Sequence, residues 1–225
     1  MAVEKIRIIR VEFQDTIHFN EICEFRNAVI ERVGEKNGYF TNIIPARDVR
    51  YAYPLIQYKQ LYGKAAIVCL NEATDELHNF FSKEQNPLTL NNKTIRLNLD
   101  ALRFSEHQLN INPDKLYEYS FRNWVAITQK NLKEYKMLND ISEIMDFLRT
   151  IMFSNLRNIC EGLGQMWDNA IELNIKKIFH GKIHTIKDAS VQSFTGVFVS
   201  NIYLPDYIGI GKFASIGYGT IKRIK

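Results

Sequence analysis

Ile208-Gly209-Ile210-Gly211-Lys212-Phe213-Ala214-Ser215-Ile216-Gly217-Tyr218-Gly219 gathers four of the chain's eleven glycines into two Gly-hydrophobic-Gly units separated by five residues. Glycine allows positive φ and lets a backbone approach a ligand closely. Successive exposed N–H groups in such a loop form a concavity suited to an anion such as phosphate. Lys212 lies inside the segment, and Lys222, Arg223 and Lys225 follow it, which points to a polyanion. A glycine-rich hairpin with no ligand has the same spacing, and both readings stay open.

The other chemically capable residues are scattered. His18 falls between a first strand and a first helix and reads as a surface loop residue; His78 lies off the apolar side of its helix, and His107 alternates with polar residues. His180 and His184 flank Gly181-Lys182-Ile183 in what reads as a hairpin, where a metal role would need a third ligand. Core packing accounts for Trp124 and Trp167, although either ring could stack on a base. Asp140 and Glu143 sit at a helix start, where acids favour the backbone dipole. Cys23, Cys69 and Cys160 are far apart in apolar surroundings and read as buried thiols of a reducing cytoplasm. No CxxC pair is present, so a structural zinc site is not expected.

These residues need a scaffold, and 225 residues that are 46% hydrophobic can build one large domain or two smaller ones. No apolar run is long enough to cross a membrane as a helix, and the first ten residues lack the apolar block of a secretory signal. The net charge of +4 is unevenly placed: Lys176–Lys225 holds eight basic and two acidic residues. A basic face of that kind suits nucleic acid. Ile6, Ile8, Val11 and Phe13 suggest an opening strand over 3–13, and Ile22, Phe25, Val29 and Val33 a helix capped by Asn20 and ended by Gly34. Strands over 50–59 and 64–70 flank a Tyr62-Gly63 turn. A short helix over 74–82 follows, with Leu77, Phe80 and Phe81 on its buried side, then a hairpin around Asn91-Asn92 and a strand over 102–111. The order β-α-β-β-α-β is the ferredoxin-like plan. After Pro113-Asp114 it partly repeats: a strand over 116–121, two helices parted near Leu138-Asn139, and strands over 170–179, 182–186, 191–201 and 218–224. The class is α+β, with expected domains of 1–112 and 113–225.

Several segments in this order resemble a known family. They are Glu24-Phe25-Arg26-Asn27-Ala28-Val29-Ile30, Tyr53-Pro54-Leu55-Ile56-Gln57-Tyr58-Lys59, Ala65-Ala66-Ile67-Val68 and Asn123-Trp124-Val125-Ala126. The most specific is Leu204-Pro205-Asp206-Tyr207-Ile208-Gly209-Ile210-Gly211, leading to Gly217-Tyr218-Gly219. Together they resemble the CRISPR-associated endoribonucleases of the RAMP group, which cut precursor CRISPR transcripts within their repeats. The resemblance implies two tandem ferredoxin-like folds with a C-terminal glycine-rich loop. It also implies repeat RNA as partner, no cofactor, and metal-independent attack by the 2′-hydroxyl beside the scissile phosphate, giving a cyclic phosphate and a 5′-hydroxyl. Such cleavage needs a base, an acid and donors to the phosphate.

The chain departs from that family where the chemistry matters. Phe40-Thr41-Asn42-Ile43 keeps the asparagine, but Thr41 and Ile43 stand where histidines are expected, and neither titrates near neutrality. Tyr51 follows at the distance of a family tyrosine, and Lys59, Arg47 or Arg50 could stabilise phosphate charge. Tyr51 and Lys59 are therefore the catalytic candidates, against plain packing for Tyr51. The RNA-binding candidates are Gly209, Gly211, Lys212, Gly217, Gly219, Arg26, Lys222 and Arg223, with a surface salt bridge as the alternative for Arg26. The companion reading is a catalytically impaired module that holds repeat RNA or joins other CRISPR effector proteins, as monomer or homodimer.

Overall fold

The computed structural model describes residues 5–43, 53–84, 86–90, 93–164, 171–186 and 189–224. The chain divides into two compact units, Met1–Gln108 with Ser215–Gly217, and Leu109–Ala214 with Tyr218–Lys225. Each is built on a four-stranded antiparallel sheet of ferredoxin-like strand order, as the sequence pattern predicts.

In the N-terminal unit the sheet runs β2 (Ile56–Leu61), β3 (Lys64–Leu70), β1 (Ile6–Thr16), β6 (Leu99–His107). Tyr62 and Gly63 both have positive φ, which matches the right-handed twist of the flanking β2 and β3. Asn20 does not cap the first helix. A 3-10 turn over Phe19–Glu21 enters α1 (Ile22–Val33), and the Glu21 carboxylate accepts the His18 N–H at 2.6 Å. Gly34, at φ 106°, ends it. Phe13 and Phe25 meet edge to face, as do Phe13 and Phe80, and Phe25 and Tyr58, with ring centroids 5.8–6.2 Å apart. That cluster joins β1, α1, α3 (Leu77–Phe81) and β2, and each buried ring contributes roughly 2–3 kcal/mol through area removed from water.

Two apolar expectations fail here. Phe81 is 39% exposed, because α3 is one short turn whose buried side is filled by Leu77 and Phe80. Cys23 is exposed, since one residue past Ile22 lies about 100° round the helix from its apolar stripe; Cys69 and Cys160 are buried. A short α2 (Gly38–Thr41) follows α1, and β4 (Leu88–Leu90) pairs with β5 (Lys93–Ile95) in a separate hairpin.

In the C-terminal unit the order is β10 (Thr220–Arg223), β7 (Tyr117–Trp124), β9 (Ala189–Ser200), β8 (Leu173–Ile186). After α4 (Leu132–Tyr135), the helix α5 (Ile141–Gly162) begins at Asp140, whose carboxylate accepts the Ser142 N–H at 2.6 Å. Leu148, Met152, Leu156 and Ile159 recur along its buried side. Trp124 is a core residue, fully buried against Phe121 and Phe194; Trp167 lies outside the described residues. No turn occurs at Gly181. β8 is one strand through that point, with a bulge between His180 and Ile183, and its hairpin with β9 closes beyond Ile186.

Candidate nucleic-acid interface

The glycine-rich segment is the crossover from β9 to β10, and its backbone runs as a folded-back ladder. The Tyr207 N–H donates to Ile221 O, Ile221 N–H to Ile208 O, and Ile210 N–H to Gly219 O, all at 2.8–2.9 Å. The Gly219 N–H donates to Asn123 O at 3.1 Å, and Lys212 forms a bridge with Val125. Gly219 is therefore not an open amide awaiting phosphate.

Close packing explains these glycines as well as any ligand would. A β-carbon on Gly219, at φ 62°, would run into the Ile210 carbonyl. One on Gly211 would reach 2.8 Å from Trp124 Nε1 and 2.5 Å from Asn155 Oδ1, where those two atoms share a 3.1 Å hydrogen bond. Gly209 is held against Ala214 and the Tyr218 carbonyl. Gly217 belongs to the N-terminal unit, where an added β-carbon would sit 2.6 Å from Ile22 Cδ1. Tyr207 and Phe213 take positive φ without being glycine, a cost that surrounding structure must offset.

The cations of this unit lie partly on rings. Lys212 and Lys222 are exposed. The Lys222 ammonium is 5.8 Å from the Tyr207 ring centroid, and the Arg223 guanidinium is 4.6 Å from that of Tyr203. The Arg223 N–H donates to the Asp206 carboxylate at 2.7 Å, so the Leu204-Pro205-Asp206-Tyr207 motif is tied directly to β10.

In the N-terminal unit, Arg26 and Lys59 have positions that their residue types did not announce. Arg26 Nη2 donates to the Thr41 carbonyl at 2.8 Å, and its buried Nε finds no partner among the described residues. The Tyr58 hydroxyl donates to Phe40 O at 3.2 Å, and the Asn42 amide to Ile56 O at 3.4 Å. Together with the Asn37 cap, these bonds pin the turn that carries the departed histidine positions. The Thr41 hydroxyl lies 3.1 Å from Asn37 O and 3.2 Å from Gly38 O, which fixes it on its own helix, and Ile43 is 58% exposed. Lys59 is fully buried, and loss of hydration pushes its ammonium pKa down to about 7. Tyr51, Arg47 and Arg50 lie outside the described residues.

A further cluster was missed because it depends on register. The β8 bulge sets Gly181 against Ser193, whose Oγ would be 2.5 Å from a β-carbon there. The Gln192 side-chain amide donates to Gly181 O at 3.0 Å and to Ser193 O at 2.9 Å. His184 Nε2 lies 3.2 Å from the buried Ser193 Oγ, and its ring meets Tyr218 edge to face at 5.2 Å. The sequence expectation considered His184 only as a metal ligand beside His180. Among the described residues no group of three or more His, Cys, Asp or Glu is placed to hold a metal ion, and no helix is long and apolar enough to cross a membrane.

Comparison with known proteins bears on both units. The model of the Cas6b N-terminal domain matches residues 4–108, and that of the Cas6b C-terminal domain matches 112–224. A crystal structure of Cas6b superposes with a TM-score of 0.86 at 21% identity, covering 98% of this chain and 100% of that one. A second, described as a CRISPR RNA processing endoribonuclease Cas6b, gives 0.75 at 19% identity over the same shares. An uncharacterized protein of Methanocaldococcus jannaschii is 25% identical over 113 residues, half of this chain and 76% of that protein. With family domains matched end to end across two sheets of the same strand order, the chain belongs to the Cas6b family.

Proposed function

We propose that the chain binds CRISPR repeat RNA and cuts it by metal-independent attack of the 2′-hydroxyl, leaving a cyclic phosphate and a 5′-hydroxyl. The observation that carries the reading is the pair of Cas6b domain matches, one over each half. The domains are 1–112 and 113–225. Lys212, Lys222 and Arg223 supply phosphate contacts, so affinity falls steeply with salt. Gly209, Gly211, Gly217 and Gly219 shape the backbone that presents them. Arg26 contributes by fixing the turn at Thr41. Tyr51 and Lys59 are the catalytic candidates. A lysine with a pKa of about 7 is partly neutral at physiological pH and can exchange a proton. Its complete burial means that RNA must uncover it first.

A second reading is favoured by Thr41 and Ile43: a module that holds repeat RNA, within a larger effector assembly, without cutting it. The Thr41 hydroxyl is committed to Asn37 and Gly38, and Ile43 has no proton to exchange. Labelled repeat RNA decides between them. The first reading expects slow product that persists in chelator and vanishes with a 2′-deoxy residue at the cut site; binding without product establishes the second. Cleavage of the deoxy substrate, or dependence on a divalent ion, would refute the mechanism.

A further inference from the structure

Lys212, Lys222 and Arg223 all attract RNA by charge, yet the surroundings of Arg223 suit a narrower task than a phosphate contact. Lys212 and Lys222 are exposed, whereas Arg223 is half-buried. Its main chain is fixed twice, by pairing with Tyr119 across β10 and β7 and by the 2.7 Å bond from its N–H to Asp206 Oδ1. Its guanidinium carbon lies 4.6 Å from the Tyr203 ring centroid. Tyr203 is held in turn: its N–H donates to Asn110 O at 2.9 Å, and its ring meets that of the buried Tyr117 with centroids 5.0 Å apart. The Lys115 ammonium, 5.0 Å from the Tyr117 centroid, completes a run of cation, ring, ring and cation.

The Asp206 carboxylate sits beside Arg223, but it takes the main-chain N–H, and no ion pair joins it to the side chain. Among the described residues the guanidinium makes no hydrogen bond. A cation kept only for the fold would take that carboxylate, because charged donors left unmet in a half-buried position are unfavourable. Stacking on a ring restricts a guanidinium and leaves its paired N–H edge for two acceptors lying side by side. A phosphate offers such acceptors but brings negative charge next to Asp206. Guanine presents two together, O6 and N7, without that charge.

We infer that Arg223 reads one guanine of the bound repeat RNA through O6 and N7, with Tyr203 as its positioning residue. The inference rests on the reading of the chain as a repeat-RNA binder, and it holds for the cutting enzyme and for the binding module alike. Lys212 and Lys222 carry the sequence-independent attraction, and Arg223 fixes where along the repeat the chain settles. Substitution at 223 by alanine or lysine spares the Asp206 bond, since the main chain makes it.

The test titrates the full chain against labelled repeat RNA with a 2′-deoxy residue at the cut site, read by fluorescence anisotropy. Each guanine is replaced in turn by 7-deazaguanine, which lacks the N7 acceptor and keeps the charge. One replacement should weaken wild-type binding about fivefold or more. Arg223→Ala should bind that RNA and the natural repeat alike. Arg223→Lys, which retains the charge and the stem, should also lose the discrimination, with the salt dependence unchanged. Tyr203→Leu should weaken the guanine preference, again at constant salt dependence, which a merely structural role would not do. Lys222→Ala should keep the preference and lower the salt slope by about one. The inference is overturned if no guanine shows the effect, or if Arg223→Ala weakens every RNA equally and lowers the salt slope by about one. Arg223 would then be a phosphate contact, with the binding reading intact. A chain that binds no repeat RNA would overturn both.

Discussion

The two units solve one topology with different materials. Each has the same strand order and a crossover into its last strand. In the N-terminal unit that crossover, from β3 to β6, carries α3 and places Phe80 against Phe13, so side chains close the core. In the C-terminal unit the crossover from β9 to β10 has no α-helix, only a 3-10 turn over Ala214–Ile216. Beside the buried Leu204, Ile208 and Ile210 side chains, close main-chain packing helps to close it, with Gly219 against the Ile210 carbonyl and the Gly211 backbone against the Trp124 ring. A side-chain core tolerates change by degrees. A backbone packed on backbone does not, because there is no rotamer to adjust.

The largest effect should therefore fall on the second crossover. Gly219→Val combines positive φ with a collision against a carbonyl, and should cost more than about 5 kcal/mol or prevent folding of that unit. Thermal unfolding and limited proteolysis would show it, and a soluble variant melting near wild type would break the comparison. Phe80→Ala removes a fully buried ring and should cost about 3–4 kcal/mol in denaturant unfolding.

Lys59→Met addresses burial of charge. The folded pKa is depressed, so between about 7 and the ordinary lysine value of 10.5 the unfolded chain binds the extra proton. Wild-type stability should then rise with pH across that window, approaching about 1 kcal/mol per pH unit from this group. The Met variant should lack that contribution, and identical slopes for the two proteins would disprove the burial. Smallest, Arg26→Ala should cost about 1–2 kcal/mol by freeing the Thr41 carbonyl, with faster hydrogen exchange confined to the turn after α1.

Much of this was legible in the chain. The Ile22, Phe25, Val29, Val33 stripe, the Tyr62-Gly63 turn and Asp140 at the head of α5 are local signals, and each acts locally in the structure. The misreadings share a cause. Gly181 looked like a turn because a glycine between two short apolar runs usually is one; cross-strand pairing with β9 makes it a bulge. Gly219 looked like an anion cradle because nothing nearby in sequence shows that Asn123 takes its amide proton. The His184–Ser193 pair exists only in one register of a long hairpin, and Arg26 meets Thr41 only after α1 turns back. Short-range pattern conveys propensity, whereas the destination of a hydrogen bond is set by tertiary partners.

β10 is the edge strand that pairs with β7, the first strand of its sheet. A ribosome making this chain releases all four strands of the first sheet by His107, so they can pair while synthesis continues. The second sheet has to wait for residues 220–223, with β7 offering an unpaired edge throughout. Nascent chains stalled before β10 should therefore recruit chaperones through β7, and slow translation across the glycine codons would prolong that exposure.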